Sequence, residues 1–127
     1  MVVIKTVERK NPQDLLAPPK YYTQAVSDGF VDLERLAYLV SNQCTVREAD
    51  CLAVLNALQH NVMDELSQGR TVQLGSLGNF QVGVRSEGAE DATSVSSSLV
   101  KSAHINYRPG KRLKKMLDAL DYKLIGG

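Results

Sequence analysis

Hydrophobic and polar positions repeat with two different periods along this chain, and the changes of period mark its elements. Residues 1–30 open on "VVIKTV", a β-branched run with one charge, and return with "YYTQAV". Such residues favour a pleated, half-buried surface. Between them lies "NPQDLLAPPK", where prolines at 12, 18 and 19 remove amide donors and fix φ. This predicts two strands joined by a long loop and added to the edge of a larger sheet, not a tight hairpin.

From Asp32 the period becomes helical. Leu33, Leu36, Ala37 and Val40 recur three and four residues apart, which draws one apolar face behind a capping aspartate. A second start follows at "TVRE", Thr45 to Glu48, the pattern of a capping box in which hydroxyl and carboxylate exchange bonds with each other's amides. Apolar residues then continue from Ala49 to Leu66, and Gly69 supplies the stop. A helix of about 22 residues is roughly 33 Å long. It carries more apolar surface than the short first helix can cover, which implies a partner chain.

The period then falls to two. Val72 and Leu74 alternate with polar residues, as do Phe80, Val82 and Val84, and "GSLG" turns between them. "AHINYRP" predicts a third strand, and "PGKRLKKMLDAL" a short helix with Leu113, Met116, Leu117 and Leu120 inward. "DYKLIGG" is a tail with an extended reading open to it, and its terminal Gly126–Gly127 pair reads as a flexible end. Strands and helices are segregated, so the fold class is α+β. The division is an N-terminal extended segment over residues 1–30, adding strands, and one domain over 31–127.

Composition narrows the function. The 127 residues fit one domain, and 43% hydrophobic content is ordinary. Net charge is +1, so any nucleic-acid surface must arise from local clustering. No apolar run approaches the roughly 18 residues of a membrane span. The N-terminus has no apolar core of a secretory leader. Cys44 and Cys51 lie seven apart and the two histidines, His60 and His104, are distant, so a zinc site is not expected. The thiols read as reduced and partly buried. Ser96, Ser97 and Ser98 have no histidine and acid arranged around them. Gly75, Gly78 and Gly83 lack the spacing of a phosphate loop. His104 reads as a surface or half-buried residue. No enzyme, cofactor, metal or small-molecule substrate is expected.

One cluster remains. Arg108, Lys111, Arg112, Lys114 and Lys115 lie within eight residues with no acid among them. They fall at a helix start, where the dipole disfavours cations by about 0.3–1 kcal/mol each. The amides there also suit phosphate. The cluster is either a phosphate-binding surface or a solvated face opposite Leu113 and Leu117.

The element order, the run Val72, Leu74, Leu77, Gly78, Phe80 and Val82, and the later Pro109, Gly110, Lys111, Leu113 and Lys114 together resemble the HU/IHF family of bacterial histone-like DNA-binding proteins. The extension "ERKNP…PPKYY" resembles a divergent, Bacteroides-type branch. The resemblance implies a two-fold homodimer with interlocked long helices, a saddle, and two β-arms that enter the minor groove. It makes residues 31–127 the dimerisation and DNA-binding domain. It also implies a cytoplasmic, nucleoid-associated protein without membrane attachment.

The arm departs from the family. Its members carry a longer arm rich in Arg and Lys, with a proline near the tip that wedges between base pairs. Residues 86–100 here contain no proline, arginine or lysine, and they hold Glu87, Glu90 and Asp91. Carboxylates near phosphates repel and release no counterion. The stretch reads as a turn and a short helix, capped by Asp91 or Thr93, with Val95, Leu99 and Val100 folded back onto the domain. The expected DNA-binding set is therefore Arg108, Lys111, Arg112, Lys114 and Lys115, with Arg85 and Lys101 bracketing the arm and Tyr107 beside the run. Two functions follow. The preferred one is weak, sequence-blind, architectural binding of double-stranded DNA by a dimer. The alternative is an HU-fold interaction or structural module with little DNA affinity.

Overall fold

The computed structural model describes residues 1–125, so the reading of Gly126–Gly127 lies outside the described residues. Two compact units emerge: Met1–Asp32 together with the segment from Met116 onward, and Leu33–Lys115.

In the first unit, β1 (Val2–Arg9) and β2 (Lys20–Val26) pair antiparallel, from Val3 opposite Val26 to Arg9 opposite Lys20. The loop between them is ordered by two side-chain turns. Asn11 Oδ1 accepts from the Gln13 amide at 3.0 Å, and Asp14 Oδ1 accepts from the Leu16 amide at 3.1 Å. Such short side chains mimic a backbone turn. The third strand of this sheet is β6 (Tyr122–Leu124), parallel to β1, in the order β2-β1-β6. The expected N-terminal strands therefore form, but in a sheet of their own and not on the edge of the other. The tail supplies the reason. "YKL" brings a second ladder to Val2–Ile4, and Val2 N–H donates to the Asp121 carbonyl at 2.8 Å.

The second unit begins with α1 (Leu33–Ser41) and α2 (Glu48–Ser67). α2 starts two residues later than "TVRE" predicts. Arg47 is its N-cap, and no side-chain capping bond forms. Val46 instead lines a small apolar cavity of about 150 Å³ with Val40, Cys51, Val54 and Leu55. Val46 stays 43% exposed there, so the segment the capping box would have used gains little burial. The helix end follows the sequence. Gly69 takes φ +85, its amide donates to the Leu66 carbonyl, and the Arg70 amide donates to the Glu65 carbonyl. That is the paired bonding of a Schellman stop.

Next comes a three-stranded antiparallel sheet in the order β3 (Val72–Gln73), β4 (Asn79–Ser86) and β5 (Val100–Arg108). α3 (Lys111–Asp118) follows β5. The α+β class, the hairpin, the third strand and the last helix are as the sequence predicts.

The core of this unit is thin. Among the described residues the only buried hydrophobic ones are Ala37 and Cys51. On α2, Cys51, Leu55 and Val62 form the middle of an apolar arc spanning about half the circumference at 3.6 residues per turn. Its flanks stay open: Val54 and Met63 are each 63% exposed, and Leu58 is 44%. The two cysteines are free, Cys51 buried but Cys44 exposed, so only one thiol is sequestered as expected. Burial, with Cys44 next in effect, pushes the Cys51 thiol above its ordinary value.

Candidate nucleic-acid interface

The two glycine motifs are far apart in sequence but touch in space. "GSLG" makes a single 3₁₀ turn over Gly75–Leu77, and the Leu74 amide closes it on the Gly78 carbonyl at 2.9 Å. Gly78 has φ +120 and ψ −167, a conformation that only glycine adopts readily. A Cβ there would stand 2.1 Å from the Arg108 carbonyl oxygen and 2.9 Å from the Pro109 Cα. On the other side, a Cβ on Gly110 would stand 2.6 Å from the Ser76 carbonyl oxygen. Two backbones thus meet at a distance no side chain permits. Tyr107 fastens the joint: its hydroxyl donates to the Leu77 carbonyl at 2.6 Å, and its ring lies 5.0 Å from that of Phe80.

This junction fixes where the basic helix begins. The Lys114 amide donates to the Gly110 carbonyl at 3.0 Å, so Gly110 opens the first turn of α3. At 3.6 residues per turn, Lys111, Arg112, Lys114 and Lys115 occupy one side of α3, with Leu113 and Leu117 on the other. All four cations are exposed. Among the described residues, neither they nor Arg108 have a carboxylate within ion-pair distance.

Strand register sorts the remaining positions. Phe80, Val82 and Val84 face one side of the sheet with their partners Tyr107, Ile105 and Ala103. The other side holds Asn79, Gln81, Gly83 and Arg85 opposite Arg108, Asn106, His104 and Ser102. Arg85 and Arg108 therefore share a polar face, while Tyr107 belongs to the apolar one. Of the expected set, Tyr107 is engaged in packing and its hydroxyl is already bonded. Gln81 and Asn106, passed over in the sequence, and His104, read there as a surface or half-buried residue, share the face of the two arginines. The two-residue alternation from Asn79 to Arg85 was the signal that could have found them.

The arm is short. The Arg85/Ser86 step shifts register, so Ser86 pairs with Val100 and Lys101 is the extra residue. The Glu87 amide donates to the Leu99 carbonyl at 2.9 Å and closes the loop at its base. Lys101 Nζ lies 3.5 Å from Glu87 Oε1, with both side chains well exposed, a pair of small energetic weight. In place of the expected short helix there are two 3₁₀ turns, Ala92–Ser94 and Ser97–Leu99. Asp91 does cap: its Oδ1 accepts from the Thr93 and Ser94 amides and hydroxyls. Those bonds, the hydroxyl of Thr93 foremost, hold its carboxyl below the usual range. Val95 does not fold back, being 65% exposed. Three consecutive serines leave too little apolar surface to draw the loop down.

With this geometry in view, comparison with known proteins places the chain. Residues 2–123 match the family HU-HIG, described as an HU domain fused to a wHTH, Ig or glycine-rich motif. The chain belongs to the HU-HIG family. The matched residues lie in both units. A crystal structure of a proposed bacterial DNA-binding protein from Bacteroides vulgatus ATCC 8482 has a TM-score of 0.65 and 17% identity. The alignment covers 98% of this HU-HIG chain and 48% of that one, so the chain spans about half the length of that neighbour. At this identity the likeness shows the fold alone. No curated protein matches.

Proposed function

We propose that this HU-HIG chain binds double-stranded DNA without sequence preference, as an architectural, nucleoid-associated homodimer. One observation carries the reading: four exposed cations on one side of α3, free of carboxylate partners among the described residues, held at a fixed origin by the joint of Gly78, Gly110 and Tyr107. Arg108 and Arg85 extend the basic surface onto the polar face of the sheet. The family's HU domain and the description of the Bacteroides neighbour as a proposed DNA-binding protein support the choice of ligand. The open flanks of α2 support the dimer, because an uncovered apolar arc is what a second copy would bury. Residues 1–30 serve as a strand-forming extension, and 31–127 as the dimerisation and DNA-binding domain. The setting is the cytoplasm, with no cofactor and no small-molecule substrate. Among the described residues no helix is long and apolar enough to cross a membrane.

Each phosphate neutralised contributes about −0.9 to the log–log salt slope, so a few contacts per chain give a shallow dependence. Bending is small, because the loop between β4 and β5 holds no proline to part a base step. The alternative, a dimeric interaction module with little DNA affinity, draws on the ionised Asp91 and the Glu87–Lys101 pair at the arm.

Band-shift titrations on linear, nicked and four-way DNA at several salt concentrations separate the two. Binding to all three that is lost in Lys111→Glu with Lys114→Glu is expected, and light scattering should give twice the 13.9 kDa chain mass. No shift at low salt would hand the case to the interaction module.

A further inference from the structure

A second basic site lies in the other unit. The loop end of the β1–β2 hairpin encloses a groove of about 730 Å³ lined by Arg9, Lys10, Asn11, Lys20 and Tyr22 among others, with no carboxylate in its lining. Arg9 and Lys20 are directly opposed in the ladder. Like charges in that relation destabilise a strand pair. Nothing local relieves them: among the described residues no acid lies within ion-pair distance of Arg9, Lys10 or Lys20. Glu8 alternates to the opposite face of β1, and Asp14 is turned to the Leu16 amide. Three cations unpaired among the described residues surround a preformed groove, two of them opposed against the preference of the strands, an arrangement that an anion would relieve.

We infer that this groove is a binding site for phosphate groups, filled by the phosphodiester backbone of a nucleic acid. The groove is stiff, since prolines at 12 and 18 line it and two side-chain turns order the loop, so little ordering cost falls on binding. Tyr22, 49% exposed on the face shared with Arg9 and Lys20, adds an aromatic surface beside the cations. The inference extends the proposed DNA-binding function and shares its ligand, but it uses residues of a different unit.

The test uses the full chain and a fluorescein-labelled duplex, with anisotropy read across a salt series. Lys20→Glu turns the repelling pair into an attracting one, so its Tm should rise while affinity falls. A loss of binding with a gain in stability is not a folding defect. Lys10→Gln, in the loop outside the ladder, removes one cation without touching a strand pair. Each variant should make the salt slope shallower by about 0.9 per chain for every phosphate it no longer neutralises. If two such cations contribute nothing at 1 M salt, their joint removal weakens binding by up to roughly 60-fold at 0.1 M. Wild-type binding with unchanged affinity and slope in both variants would overturn the groove and leave the α3 surface standing. Should the wild type bind no DNA, the proposed function fails and tripolyphosphate becomes the probe. Shifts of the Lys10 and Asn11 amides in a heteronuclear NMR titration, absent in Lys20→Glu, would then uphold the groove as a site for free phosphate compounds. No shifts would overturn it as well.

Discussion

Replacing Gly78 by alanine should break the joint that positions α3. Two costs add. The φ of +120 with ψ −167 lies in territory that costs a residue with a Cβ about 1–3 kcal/mol. The new Cβ would also sit 2.1 Å from the Arg108 carbonyl oxygen, an atom of backbone and not the end of a flexible side chain. Forcing extra volume into such contact costs about 1–3 kcal/mol more. The expected loss is therefore roughly 2–6 kcal/mol, a large share of a domain's stability of about 5–15 kcal/mol. Gly88→Ala is the control, since its Cβ would meet nothing and its φ is not positive. It should stay within about 0.5 kcal/mol of the wild type. Urea unfolding followed by circular dichroism measures both, at one fixed protein concentration because association shifts the midpoint. If Gly78→Ala unfolds at the same urea concentration as Gly88→Ala, the contact between the two motifs is not what holds α3. The reasoning from the junction then fails.

Two further outcomes follow from the same contacts. Tyr107→Phe removes the hydroxyl bonded to the Leu77 carbonyl while keeping the ring against Phe80, and should cost about 0.5–1.5 kcal/mol in the same urea assay. Tyr107→Ala should cost distinctly more. At the arm, Asp91 is held below the ordinary carboxylate range chiefly by the Thr93 hydroxyl, so its charged form favours the ordered turn. A group with a lowered folded value contributes stability above the unfolded value and loses it as pH falls through the folded one. The Thr93 and Ser94 amide resonances should therefore hold steady through neutral and mildly acid pH and move only below the usual carboxylate range; titration at the ordinary value would contradict the cap.

Much of the fold was legible because period and punctuation agree locally. Gly69 stops α2 where the last periodic leucine, Leu66, predicts it, and the strand alternation from Phe80 to Val84 survives intact. What the sequence hid was non-local. β6 was legible only as an extended reading of the tail, because three residues carry little periodicity and its parallel partner lies at the opposite end of the chain. The candidate site divides in the same way. The cations of α3 stand together in the sequence and needed only to be counted. Gln81, His104 and Asn106 join Arg85 and Arg108 only once the register of β4 and β5 is known. Arg9 and Lys20 meet only because the hairpin pairs them.

That difference bears on how a chain of net charge +1 could hold a polyanion. Its acids and cations are not mixed evenly. Glu87, Glu90 and Asp91 sit in the loop at the arm's tip, while the unpaired cations gather at two other places, the start of α3 and the mouth of the β1–β2 hairpin. A balance summed over the whole chain averages groups that the sequence keeps apart, so it says little about either basic cluster. On the proposed reading, the arm that reaches DNA elsewhere in the wider HU/IHF family has given up that role here. Its acidic tip leaves the contact to the rigid base of the sheet, where Gly78 and Gly110 fix the cations. Converting Glu87 and Glu90 to lysine should then strengthen binding, because it removes repulsion at the tip without disturbing the joint beneath.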